Sequence, residues 1–138
     1  MKKYKYNICC FVNDSPRSQS GPNKSLYLMF RKVFKKKKNI YLFFKSKQSL
    51  FVINKKKIKI LNVFRHLKIS KIIYLNGIYS FSHFLIPFFI GIYFGSKIII
   101  SPRGMLGKEA FVKSKYKKKI YIFFLNIFLK INKEKIIY

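Results

Sequence analysis

Short apolar runs punctuate this chain, and they do not alternate apolar with polar residues. Tyr6 to Val12, Ile40 to Phe44, Lys71 to Leu75 and Lys97 to Ser101 each read as a strand buried on both faces, the pattern of a parallel sheet. Between the runs the spacing turns helical. Leu26, Met29, Phe30 and Val33 share one helix face, and Ile58, Leu61, Phe64 and Leu67 share another. Ser80 to Phe94 reads as an apolar helix with Pro87 as an internal flaw, and a long helix is expected from about Ala110 to Asn132. Lys45 to Lys57 is ambiguous, with Leu50 to Ile53 as a short strand, and Ile136 to Tyr138 reads as a strand that has only begun. Strands that alternate with helices imply an α/β fold, a mostly parallel sheet covered by helices on both faces. A chain of 138 residues has room for one such domain.

The charge narrows the function classes. Lys and Arg total 31 against 3 Asp and Glu, a formal net charge of +28. Asp14, Glu109 and Glu134 are the only carboxylate side chains, too few for paired-acid catalysis or an acidic metal cage. A four-ligand zinc site would have to use both histidines, His66 and His83, and both cysteines, Cys9 and Cys10. A strongly basic chain suits an anionic partner, either nucleic acid or a membrane surface. Part of the lysine excess follows from A/T-rich codons, but those codons also supply Asp and Glu, so the acidic shortage points to a basic surface. Only 4 of the 31 basic residues are Arg, which disfavours base-specific DNA reading and suits lipid headgroups better. A nucleic-acid module in which Tyr and Phe stack bases is a minor alternative, since the aromatics lie mostly in runs that should be buried.

Cys9 and Cys10 are neighbours, so on a strand they face opposite sides, and simple burial is their expected fate. No disulfide framework or secretory leader is expected, because the apolar run from Ile8 to Val12 is too short for one. From Ile72 to Ser96 no Lys, Arg, Asp or Glu occurs in 25 residues. That is long enough to span a bilayer, and a small basic single-span membrane protein without catalytic role is therefore the alternative reading. Asn76, His83, Pro87 and Gly77, Gly91 and Gly95 favour a division into strand, turn and helix instead.

Three segments carry a resemblance. They are Ile72-Ile73-Tyr74-Leu75-Asn76-Gly77, then Ile98-Ile99-Ile100-Ser101-Pro102-Arg103-Gly104-Met105-Leu106, then Lys115 to Lys119 leading into an apolar helix. In order and spacing they resemble the N-terminal domain of group-1, GT-B-type glycosyltransferases (family 4-like) of polysaccharide and lipopolysaccharide assembly. Upstream, Gly21-Pro22 before Lys24-Ser25 resembles the family's Gly-Gly-Pro loop, with Ser20 in place of the first glycine.

The resemblance implies a Rossmann-like acceptor-side domain over residues 1–138. It implies a parent enzyme that moves a glycosyl group from a nucleotide-sugar to a saccharide or lipid-linked acceptor, with no separate cofactor and no obligatory metal. Gly21, Pro22, Asn76, Gly77, Arg103 and Gly104 are the expected substrate-binding residues, gathered at the carboxyl ends of the strands. Arg103 would neutralise a phosphate or bond a sugar acceptor, and Asn76 would read sugar hydroxyls. No catalytic residue is expected here, because the family's donor-binding domain has no counterpart in these residues, and a chain that stops inside a strand reads as truncated. The protein is expected to be cytoplasmic and peripheral at the inner face of the cell membrane. Tyr116, Ile120, Phe123, Phe124, Ile127, Phe128 and Ile131 share one helix face, and Ile122, Leu125 and Leu129 make the other side apolar too, so one face can pack on the sheet and the other can touch lipid.

Overall fold

A computed structural model describes residues 7–12, 28, 40–46, 49–53, 56–57, 59–102 and 115–137. The strands are β1 (Asn7–Val12), β2 (Ile40–Ser46), β3 (Ser49–Ile53), β4 (Lys56–Lys57), β5 (Ser70–Asn76), β6 (Lys97–Ser101) and β7 (Ile136–Ile137). They form one sheet in the order β4-β3-β2-β1-β5-β6-β7. From β2 to β7 every pairing is parallel, whereas β3 and β4 add an antiparallel edge. The fold is therefore the Rossmann-like α/β sheet expected from the apolar runs. The antiparallel extension occupies the ambiguous Lys45 to Lys57 segment, and it contains the short strand expected there.

Among the described residues three α-helices connect the strands: α1 (Ile60–Ile69), α2 (Ile86–Tyr93) and α3 (Lys115–Ile131). All three pack on the same face of the sheet. Val63 and Leu67 of α1, Phe88 of α2 and Leu125 and Leu129 of α3 join Cys9, Phe11, Phe43, Ile73, Leu75, Ile98 and Ile100 in one core. On the opposite face Cys10 and Val12 are buried with Ile8, Ile40, Leu42, Phe44 and Tyr74 around them. The helix expected over Leu26 to Val33 lies outside the described residues except for Leu28, which is helical and exposed.

The side of α1 expected to be buried needs correction. Val63 and Leu67 face the sheet, while Leu61 and Phe64 stand 69% and 42% exposed. Leu67 alone of that stripe turns inward, and Val63 beside it completes the contact with the sheet.

The uncharged stretch from Ile72 to Ser96 does not form a single span. It contains most of β5, a turn, a π-helical turn (Phe81–Leu85) and α2. Among the described residues no helix is long and apolar enough to cross a membrane. Pro87 fits because the helix widens just before it. The backbone N–H groups of Leu85 and Ile86 bond to the carbonyls of Ser80 and Phe81, five residues back. A proline that cannot donate is accommodated where the ladder is already loosened. Further along, Gly91 lets α2 lie close to the sheet. A Cβ there would sit 2.6 Å from Ile73 Cδ1 and 3.3 Å from Ile98 Cδ1.

At the amino edge of the sheet a small polar network ties strand starts together. Ser96 Oγ donates to the Ser70 carbonyl (2.7 Å), and Ser70 Oγ donates to the His66 carbonyl (2.6 Å). The Cys9 thiol lies 2.8 Å from Ser70 Oγ and joins this network. Burial pushes the Cys9 thiol up to about 12, against the weaker opposing pull of the Ser70 bond. Cys10 is also raised, by burial first and by Cys9 second. Both cysteines are free and buried, one on each face, as their adjacency on a strand requires.

Candidate functional site

The chain leaves β1 toward β2 on one side and later places β5, β6 and β7 on the other. The strand order therefore reverses between β1 and β5, and in open parallel sheets the carboxyl edge at that point is where ligands bind. Register places Val12 beside Asn76 and Asn76 beside Ser101, a row across this edge.

Asn76 closes β5 and is 5% exposed. Its Oδ1 is buried and, among the described residues, has no hydrogen-bond partner. Leaving such an acceptor unsatisfied costs about 1–3 kcal/mol, so it is a group that a ligand hydroxyl or amide would satisfy. Gly77 follows with φ 97°, a left-handed conformation that a side chain would strain, and its N–H faces the Ser101 carbonyl at 3.4 Å. The chain then turns through Ile78 and Tyr79 to Ser80, whose Oγ accepts the His83 N–H (3.2 Å) and caps the helix. Strand end, left-handed glycine and capped helix start thus occupy five consecutive residues.

The start of α3 is fastened onto this link. The Tyr121 hydroxyl donates to the Ile78 carbonyl. Lys118 Nζ lies 5.1 Å above the Tyr79 ring, and the Tyr79 and Tyr121 rings are 5.7 Å apart. Burial, and secondarily Tyr79, raises the Tyr121 phenol well above its ordinary value, so it remains a neutral donor. Burial also raises Tyr79. A lysine of the Lys115 to Lys119 segment is therefore held at the same edge as Asn76.

His83 is fully buried, its ring edge-on to Phe11 at 6.3 Å and its Nδ1 2.9 Å from Ser82 Oγ. It serves the core and the helix start. His66 is partly buried against Tyr41 (4.3 Å) and Phe43 (5.9 Å), and burial lowers its pKa. Among the described residues no group of three or more His, Cys, Asp or Glu side chains is placed to hold a metal.

Of the residues expected from sequence, Asn76 and Gly77 stand together at the switch point. Gly21, Pro22, Arg103 and Gly104 lie outside the described residues, and the chain is described only as far as Pro102 on that side. Sequence reading named Ser101 at the start of a loop on this edge without choosing it as a binding residue, and it missed the Lys118–Tyr79–Tyr121 contact. Ser101 was legible as a strand end, whereas the contact joins residues about forty positions apart and no local pattern announces it. No family model matches the chain, and neither a curated protein nor a solved structure matches it.

Proposed function

We propose that this chain is the acceptor-side domain of a glycosyltransferase of the group-1, GT-B type, acting in surface polysaccharide or lipopolysaccharide assembly. The observation that carries the reading is Asn76-Gly77 at the switch point, with a buried amide oxygen lacking a partner. An acceptor hydroxyl would donate to Asn76 Oδ1. Gly77 would let the saccharide approach the backbone, and Arg103 with Gly104 would meet an acceptor phosphate. Gly21 and Pro22 would close the other side of the edge. The nucleotide-sugar is the donor substrate of the whole enzyme, and its binding domain is not among these 138 residues. On this reading the protein works on the cytoplasmic side, peripheral to the cell membrane.

Saturation-transfer NMR with oligosaccharides and polyprenyl-phosphate-linked saccharides tests the proposal. The full chain should bind at least one phosphate-bearing saccharide. Asn76→Ala and Arg103→Ala should each weaken it about tenfold, the effect of removing one buried or charge-assisted hydrogen bond. Transfer from any nucleotide-sugar should stay at the level of the Arg103→Ala chain. Absence of saccharide binding, or binding indifferent to both substitutions, would overturn the reading.

A further inference from the structure

The geometry points to the outer face of α2 and α3 as a docking surface for an anionic lipid bilayer. The inner side of α3 is accounted for: Tyr121, Leu125 and Leu129, four residues apart, meet the core. Its outer side is not polar, as the exposed face of a helix in water normally is. Phe123, Phe124, Ile127 and Ile131 are 63%, 56%, 40% and 73% exposed. The apolar surface continues across the helix boundary. Phe128 of α3 meets Phe89 of α2 edge-on at 5.2 Å with both rings still partly exposed, and Tyr93 extends the stripe one turn along α2. A contiguous apolar face of this kind requires a cover.

Charge selects the cover. Lys119 and Lys130 lie along one margin of the α3 stripe, and Lys133 and Lys135 follow its end, all exposed. Glu134 is the only acidic side chain among the described residues. A second copy would bring another +28 against the same lysine-bordered face, whereas negatively charged headgroups would neutralise those lysines while the phenylalanines enter the acyl boundary. The first turns of α3 are fastened to Ile78 and Tyr79, which holds this helix and its outer face in a fixed position on the sheet. The inference specifies the peripheral attachment in the reading above but does not depend on glycosyl transfer.

Co-sedimentation of the full chain with phosphatidylcholine vesicles, with and without phosphatidylglycerol, is the test. Binding should require phosphatidylglycerol and fall with added salt. F123S/F124S should reduce the partition coefficient about tenfold or more, by loss of buried apolar area. K119E/K130E should reduce it by a similar factor. Outward side chains do not hold the fold, so circular dichroism should match the parent chain for both. Equal binding to neutral vesicles, no binding at all, or parent-like binding by either variant overturns the inference. A dimer that F123S/F124S disperses, in a chain that ignores vesicles, assigns the face to a second copy instead. Asn76→Ala should leave vesicle binding unchanged, so this inference and the saccharide reading fail independently.

Discussion

Single side chains in this protein are set by burial more than by charge pairing. His66 illustrates the consequence for pH. Burial lowers its pKa, so the fold favours the neutral ring. Its contribution is present above the unfolded value, about 6.5, and is lost as pH falls through the lower folded value. Urea denaturation between about pH 7.5 and pH 5 should show stability declining, and His66→Leu should flatten that decline. A parent slope unchanged by the substitution would place the acid sensitivity elsewhere. Asn76 and Gly77 were singled out through the family resemblance, and the sequence placed them at a strand end, where the structure has them. Their alignment with Val12 and Ser101 was not, because register belongs to the assembled sheet.

At the scale of elements, continuous apolar runs made the parallel strands readable, and each lies within a few residues of its expected place. The β3–β4 edge was less readable because Ser49–Ile53 is short and stands among lysines. For α1 the spacing grouped Leu61, Phe64 and Leu67 on one side, and contact with the sheet turns Leu67 and Val63 inward and leaves the other two exposed. For α3 the spacing left open which of two apolar faces packs on the sheet, and the fold turns Leu125 and Leu129 inside and the phenylalanine face outside. The seating of α2 depends on Gly91. Gly91→Val should destabilise the protein by about 2 kcal/mol, since the added carbons collide with Ile73 and Ile98. Thermal denaturation reads this as a lower Tm, and an unchanged Tm would mean that α2 can lift off without loss.

For the whole molecule, the two cysteines are reporters. They occupy opposite faces of the central strand, so reagent reaches either one only when the sheet opens. Both thiols should be silent toward a disulfide reagent in the native protein and react together at the rate of global unfolding. Cys9 also predicts alkaline behaviour. Its folded value, about 12, lies above the unfolded 9.0, so its contribution is intact below about pH 9 and is lost as pH climbs toward 12. Cys9→Ala should lessen the alkaline part of that loss in denaturant titrations at rising pH.

The position of β1 in the middle of the sheet has a consequence for synthesis. Cys9 pairs with Tyr41 on one side and Ile73 on the other, so β1 is made well before its second partner. At 5–20 residues per second a ribosome needs roughly 3–13 s to travel from β1 to its second partner. Throughout that interval an apolar strand with at least one open edge is present on the nascent chain. This architecture therefore exposes its aggregation-prone centre at birth, and a cell making it in quantity must shield that first strand until β5 emerges.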